Sequence, residues 1–217
     1  MNIKIKDPIS ALTHFIGAVL SVFGTMILVK YVEPIGTYKD MISVIVYGIS
    51  LILLYTASTV YHWSPAQGKV NRILRKLDHM MIYVLIAGTY TPICMISLSG
   101  KWRWGLLISI WVLAVGGIIL KALWMDVPRW ISTTIYILMG WLVVLAFFPL
   151  KEVVSIEGVG WLIGGGIFYT VGAIIYGLKW PKFKWRGFGF HELFHLFVMA
   201  GSACHFWMIF KYVIGSI

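Results

Sequence analysis

Residues 103–124 read RWGLLISIWVLAVGGIILKALW, and the only charged side chains in this run are Arg103 and Lys121. A helix needs about 20 mostly apolar residues to cross the hydrocarbon core of a bilayer. Six further runs share this length and character, and they cover residues 10–30, 41–62, 79–99, 130–150, 158–178 and 190–214. The sequence therefore predicts an all-α integral membrane protein, with seven transmembrane helices in one domain that takes up residues 1–217.

The composition excludes an ordinary soluble domain. Apolar and aromatic residues make up 60% of the chain, charged residues 12%, and the mean hydropathy is +0.88. Soluble domains carry about 25% charged residues. The net charge of +10 would suit nucleic-acid binding if the basic residues shared one folded face, but here they lie between apolar runs. We therefore expect no nucleic-acid partner.

Lysine and arginine are unevenly distributed between the two sides of the predicted bundle. Twelve belong to the side of the N-terminus: Lys4, Lys6, Lys69, Arg72, Arg75, Lys76, Lys121, Arg129, Lys179, Lys182, Lys184 and Arg186. Six belong to the other side: Lys30, Lys39, Lys101, Arg103, Lys151 and Lys211. Basic residues favour cytoplasmic loops, so we expect a cytoplasmic N-terminus and a C-terminus outside.

Three short segments carry polar side chains where the helices should be apolar. Ser58 and His62 end the second predicted helix, Asp78 lies at the start of the third, and His191 and His195 begin the seventh. Ionisable groups inside a span are costly and are by default functional candidates. Because successive helices run in opposite directions, all three segments should lie at the cytoplasmic end of the bundle.

The spacing of the histidines predicts a metal site. His191 and His195 are four residues apart, so they lie on one helix face. With His62 they would form the three-ligand pattern of catalytic zinc, which leaves one position open for a water with a pKa of about 7. In that arrangement Asp78 would accept a hydrogen bond from the water, and Ser58 would orient the water or its ligands.

Simpler interpretations of the same residues exist. The pair of His191 and His195 can merely hydrogen-bond to neighbours at a helix start. Asp78 can be the N-cap of the third helix. Ser58 can hydrogen-bond to its own helix backbone.

The chain has three more histidines. His79 points about 100° away from Asp78 on a helix, which suggests a position in the membrane interface. His205 lies ten residues past His195 and off its face, as expected for a hydrogen-bonded core histidine. His14 is near the cytoplasmic end of the first helix and can line the site, although nothing in its spacing indicates this.

The start of the seventh helix also matches a protease motif. Residues 191–195 read His-Glu-Leu-Phe-His, the H-E-x-x-H pattern in which the glutamate is a general base. An intramembrane metalloprotease that uses Glu192 is therefore an alternative function.

The motifs together resemble a known family. Ser58-x-x-x-His62, Asp78 within Leu77-Asp78-His79, residues 88–92 (Gly-Thr-Tyr-Thr-Pro) and the paired histidines occur in the order found in bacterial hemolysin III proteins. These belong to the progestin and adipoQ receptor family, which is grouped with the alkaline ceramidases. The resemblance implies seven helices with a cytoplasmic N-terminus in the bacterial plasma (inner) membrane.

The resemblance also implies roles for the site residues. His62, His191 and His195 would bind Zn²⁺, Asp78 would reach the metal through water, and Ser58 would support it. It gives no required role to Glu192.

The leading functional hypothesis is a zinc-dependent hydrolase of lipid amide or ester bonds, with a membrane lipid as its substrate and a role in membrane lipid homeostasis. The main alternative is a lipid sensor or regulator whose zinc is structural and joins helices two, three and seven. A haemolytic pore and the protease are further alternatives. The open metal position beside Asp78 and Ser58 favours chemistry, because closed structural sites normally have four protein ligands. A pore would need a polar stripe through several helices.

Overall fold

The computed structural model describes residues 5–65, 67–182, 185 and 187–217. Within these residues, seven helices are long and apolar enough to span a membrane. They are α1 (Pro8–Val32), α2 (Tyr38–Trp63), α3 (Lys69–Ser97), α4 (Gly100–Leu123), α5 (Arg129–Lys151), α6 (Ile156–Leu178) and α7 (Phe190–Ser216). The prediction of an all-α protein with seven spans is confirmed. Lys4, Lys184 and Arg186, which entered the orientation argument, lie outside the described residues, and the orientation stays a prediction.

Helix α3 begins ten residues before the predicted start at residue 79. The first turns of α3 contain too many charged residues to be recognised as part of an apolar run. Contacts with the end of α4 stabilise them. Lys76 Nζ donates to the carbonyl of Ala122 at 2.8 Å. The N-cap of α3 is Gly68. Asp78 therefore lies inside the helix, and its interpretation as an N-cap is wrong.

Local signals fix several helix ends. Pro8 takes the first position of α1, where its missing N–H costs nothing. Thr37 and Asp40 form a reciprocal capping box at the start of α2. Three spans change their winding along their length, with π-helical turns at Ile93–Ser97 in α3 and Ile209–Val213 in α7 and a 3₁₀ segment at Leu142–Ala146 in α5.

Neighbouring helices pack closely where one of them carries glycine. A side chain at Gly48 of α2 would collide with Thr25 of α1, and one at Gly165 of α6 would collide with the ring of His205 in α7. Such close approach is the usual way in which membrane helices gain packing contacts without a hydrophobic driving force between them. The first and last helices also pack together, since a side chain at Gly24 of α1 would collide with Phe206 of α7.

Because the helices alternate in direction, α1, α3, α5 and α7 begin at the end of the bundle where α2, α4 and α6 finish. We call this end the site end. The backbone N–H of Asp7, just before α1, donates to the carbonyl of His62 near the end of α2 at 3.2 Å. The predicted convergence of the three motif segments follows from this arrangement.

Candidate metal centre

The structure brings His62, His191 and His195 together. One ring nitrogen from each lies within 4.8 Å of the other two. The Nε2 atoms of His62 and His191 are 3.2 Å apart. His62 and His195 are almost completely buried, at 1% and 2% exposure. We call these three residues the triple-histidine group.

The geometry of the group fits a bound metal ion. Two nitrogens on a tetrahedral ion with bonds of 2.0–2.1 Å are about 3.3 Å apart, close to the observed separation. His195 Nδ1 is buried and has no hydrogen-bond partner in the described part of the chain. Buried polar atoms normally have partners, so several imidazoles facing one another at this distance indicate a site for a cation. Imidazole suits zinc and also copper, iron and nickel.

Asp7 supports His62 from outside the group, a role that the sequence analysis missed. Its Oδ2 lies 2.9 Å from His62 Nδ1. This hydrogen bond, helped by Lys6 at 3.4 Å, lowers the pKa of Asp7 below its ordinary value, so Asp7 is a carboxylate at neutral pH. A carboxylate only accepts, so Nδ1 carries the proton and Nε2 presents its lone pair to the group. Carboxylate–histidine pairs of this kind fix metal ligands in many proteins.

His14 lies against the other side of the group. Its ring stacks on that of His195, with centroids 3.6 Å apart and an angle of 15° between the planes. His14 is buried, and neither of its ring nitrogens has a hydrogen-bond partner among the described residues. The sequence analysis left its place open. The structure puts it in contact with the site, where it closes the α1 side.

Glu192 is engaged in holding α7 in place. Its Oε2 accepts from the backbone N–H of Gly189 at 2.9 Å, and its Oε1 accepts from the hydroxyl of buried Ser10 at 2.7 Å. The carboxylate thus caps α7 and ties it to α1. Both carboxylate oxygens of Glu192 therefore have a structural role, which the protease hypothesis does not predict.

Ser58 and Asp78 line a cavity that His191 and His195 also line. Asp78 Oδ2 lies 3.1 Å from His79 Nδ1. Ser58 Oγ is buried and has no hydrogen-bond partner in the residues that the structure describes, so the predicted alternative of a bond to its own helix is not observed. Both polar groups therefore remain beside the metal-binding nitrogens, in contact with the same space.

His79 also lines this cavity, and its predicted interfacial position is wrong. Its side chain is only 12% exposed. Its Nε2 lies 3.1 Å from the hydroxyl of Tyr176 in α6, and its Nδ1 lies 2.9 Å from the carbonyl of Arg75. The ring faces inward because α3 begins earlier than predicted, which places His79 within the bundle.

The cavity has a volume of about 140 Å³. It runs from basic side chains near the site end, past the triple-histidine group, to aromatic residues deeper in the bundle. Its inner part includes Trp141, Tyr169 and His205. His205 Nδ1 donates to the carbonyl of Gly201 at 2.8 Å, which confirms the expectation of a hydrogen-bonded core histidine. A cavity that is mostly apolar and has a few convergent polar groups has the character of a small-molecule site.

Known proteins resemble this chain over most of its length. The sequence model of the family described as "Haemolysin-III related" matches residues 3–206. The chain is 44% identical to Hemolysin-3 of Bacillus cereus over 215 residues, covering 98% of this chain and 94% of that protein. It is 39% identical to the Hemolysin-3 homolog of Bacillus subtilis (strain 168) over 211 residues, covering 97% and 96%.

A more distant relative is human. Monocyte to macrophage differentiation factor is 30% identical over 190 residues, covering 82% of this chain and 73% of the human protein. The resemblance inferred from the motifs is confirmed by these matches. With seven membrane-spanning helices and a match that includes every motif segment, the chain is a multi-pass membrane protein and belongs to the haemolysin III-related family.

Proposed function

We propose that this protein is a zinc-dependent hydrolase of lipid amide or ester bonds, that it acts in the bacterial plasma (inner) membrane, and that it serves membrane lipid homeostasis. One observation carries the proposal: His191 and His195 of the triple-histidine group line a largely apolar cavity that Asp78 and Ser58 also line. A structural metal site with four protein ligands does not need a cavity beside the metal. The cavity places apolar walls next to groups that do polar chemistry.

Zinc bound by His62, His191 and His195 would polarise the scissile carbonyl and favour a nucleophile at neutral pH. The remaining tasks fall to the chain's own side chains. Asp78 would accept the proton of the attacking water and return it to the leaving group, as a general base and then acid. His79 Nδ1, 3.1 Å from Asp78 Oδ2, would hold that carboxylate in place. The unpaired hydroxyl of Ser58 would donate to the water or to the substrate carbonyl.

A non-enzymatic lipid sensor with a structural metal is the second candidate. It is favoured by the way the group joins helices: two ligands come from α7, one comes from α2, and Asp7 brings in the start of α1. In that case the metal would stabilise the bundle, and lipid in the cavity would bias its conformation without being cleaved.

Lipid turnover by purified protein decides between the two. Zinc-loaded wild type would be incubated with N-acyl sphingoid amides and with phospholipid esters, and released fatty acid would be measured. We expect turnover by wild type and a fall of about 10²–10⁴-fold in Asp78→Asn, the usual effect of losing a general base. Zinc content, measured on the same samples, should not change. If zinc-loaded wild type cleaves none of these lipids, the hydrolase proposal fails and the sensor becomes the better account.

A further inference from the structure

Basic side chains from three helices line the cavity near the site end. They are Arg75 of α3, Lys121 of α4 and Arg129 of α5. All three lie within the first or last turns of their spans, where a membrane helix meets the lipid headgroups. The catalytic proposal above uses none of them.

Lys121 lines the cavity and has no ion-pair or hydrogen-bond partner in the described part of the chain. The residue is 3% exposed, and its side chain forms no hydrogen bond or ion pair with any residue that the structure describes. The nearby acid, Asp126, is 86% exposed and lies 3.7 Å from Arg75 instead. A cation that faces a largely apolar cavity and forms no ion pair is poorly compensated, so it favours an anionic ligand there.

Arg129 also has unused donors. Its Nη1 is buried and has no hydrogen-bond partner among the described residues. Its guanidinium carbon lies 5.1 Å from the centre of the Tyr176 ring, which holds the group beside the cavity. A planar guanidinium fixed in this way suits the oxygens of a phosphate, to which it can donate two parallel hydrogen bonds.

Asp78 is the acid that lines the cavity, and it forms no ion pair with these three cations among the described residues. Asp78 lies 3.1 Å from His79. The walls farther from the site end include Leu85, Ile86 and Val198, which suit an acyl chain. One end of the cavity is therefore cationic, and the rest is largely apolar.

We propose that Lys121 and Arg129, with Arg75 at the rim, bind the phosphate group of an anionic membrane lipid whose acyl chain occupies the apolar part of the cavity. The inference rests on the proposal that the cavity receives a lipid, but it does not require that lipid to be hydrolysed. It makes these residues determinants of lipid specificity, because the ammonium of a zwitterionic lipid would bring a further positive charge next to these cations.

The test compares the binding of two lipids to the full-length purified protein. Phosphatidylglycerol and phosphatidylethanolamine with identical acyl chains would be titrated separately, and bound lipid would be counted by native mass spectrometry. The variants are Lys121→Met, which removes the charge at similar volume, and Lys121→Arg, which keeps it. Lys101→Met is the matched control, since Lys101 lies on the same helix at the opposite end and is exposed.

We expect wild type and Lys121→Arg to bind phosphatidylglycerol more tightly than phosphatidylethanolamine. In Lys121→Met the ratio of the two affinities should fall at least about fivefold, the contribution of one cation near a lipid headgroup. Lys101→Met should bind like wild type. In lipid-free detergent, Lys121→Met should melt no lower than wild type, because it removes an uncompensated buried charge. That result would show that a lost preference does not come from misfolding.

Two results would overturn the inference: equal binding of both lipids by wild type, or an unchanged preference in Lys121→Met. Millimolar inorganic phosphate is a third arm. If inorganic phosphate raises the melting temperature of wild type and phosphatidylglycerol does not, the site binds free phosphate and the lipid assignment is wrong. Fatty-acid release measured in parallel separates the two proposals. A charge-dependent preference for phosphatidylglycerol without fatty-acid release would contradict only the hydrolase proposal. Fatty-acid release without any such preference would contradict only the lipid-phosphate site.

Discussion

The carboxylate of Asp7 lies 2.9 Å from Nδ1 of His62, although 55 positions separate the two residues in the sequence. The backbone N–H of Asp7 also donates to the His62 carbonyl at 3.2 Å. The segment that precedes α1 is thus bound twice to one residue of the triple-histidine group. Because the Asp7 carboxylate accepts a hydrogen bond from Nδ1 of His62, it is Nε2 of His62 that faces the other two histidines.

Replacing Asp7 by alanine should weaken metal binding by about 10–100-fold, the usual effect of losing the hydrogen-bond partner of a metal-binding histidine. The imidazole would then be free to rotate and to change tautomer. Competition with a chelator of known affinity measures the change. Asp126→Ala is the matched control, since Asp126 is an exposed acid at the same end of the bundle. Equal affinities for Asp7→Ala and wild type would show that Asp7 does not position His62.

The double substitution His191→Ala/His195→Ala should abolish metal binding. Elemental analysis of purified wild type should give about one zinc per chain, and the variant should give none. Added zinc should raise the melting temperature of wild type only, because a ligand that binds the folded state stabilises it. His205→Gln, which changes a buried histidine of the same helix outside the group, should keep its zinc. Full zinc retention in the double variant would rule out these ligands.

Substitutions at the contact between Glu192 and Ser10 should affect stability rather than chemistry. Ser10→Ala leaves one buried carboxylate oxygen without a donor and should cost about 1–3 kcal/mol of unfolding free energy. Glu192→Gln should have a similar effect, and lipid turnover per folded, zinc-loaded molecule should stay within a few-fold of wild type. Denaturation midpoints and turnover are measured on the same preparation. A loss of turnover of 10²–10⁴-fold in Glu192→Gln, with zinc retained, would instead assign the base to Glu192.

The excess of basic residues on the side of the N-terminus predicts that the C-terminus lies outside the cytoplasm. A reporter that is active only outside the plasma membrane, fused after Ile217, should therefore be active. The same reporter inserted between Trp124 and Pro128, in the connection between α4 and α5, should be silent. The opposite pattern would reverse the orientation and place the triple-histidine group in the outer half of the membrane.

The sequence determined the number and kind of the elements. Seven apolar runs predicted seven helices, because hydropathy over some 20 residues depends on composition alone. Alternation of the helices then predicted that His62, His191 and His195 share one end of the bundle. These inferences need only local chemistry and the direction of the chain, and both can be obtained from the residues in order.

The sequence did not reveal the start of α3. Its first turns carry Arg72, Arg75 and Lys76, and their charge hid a helix that is stabilised by α4, a partner distant in sequence. Because the predicted helix started too late in the chain, Asp78 was assigned to a helix end and His79 to the membrane interface. Helix ends depend on tertiary contacts wherever the local sequence is not apolar enough to define them.

Only the tertiary structure decided what surrounds the metal-binding nitrogens. Four features depend on which helix faces turn inward: the hydrogen bond that His62 donates to Asp7, the stacking of His14 on His195, the capping role of Glu192 and the position of Lys121 at the cavity. Helical periodicity limits which residues share a face, but it does not choose the neighbour that the face meets. That choice is made by close packing of the seven helices, which is a property of the whole chain.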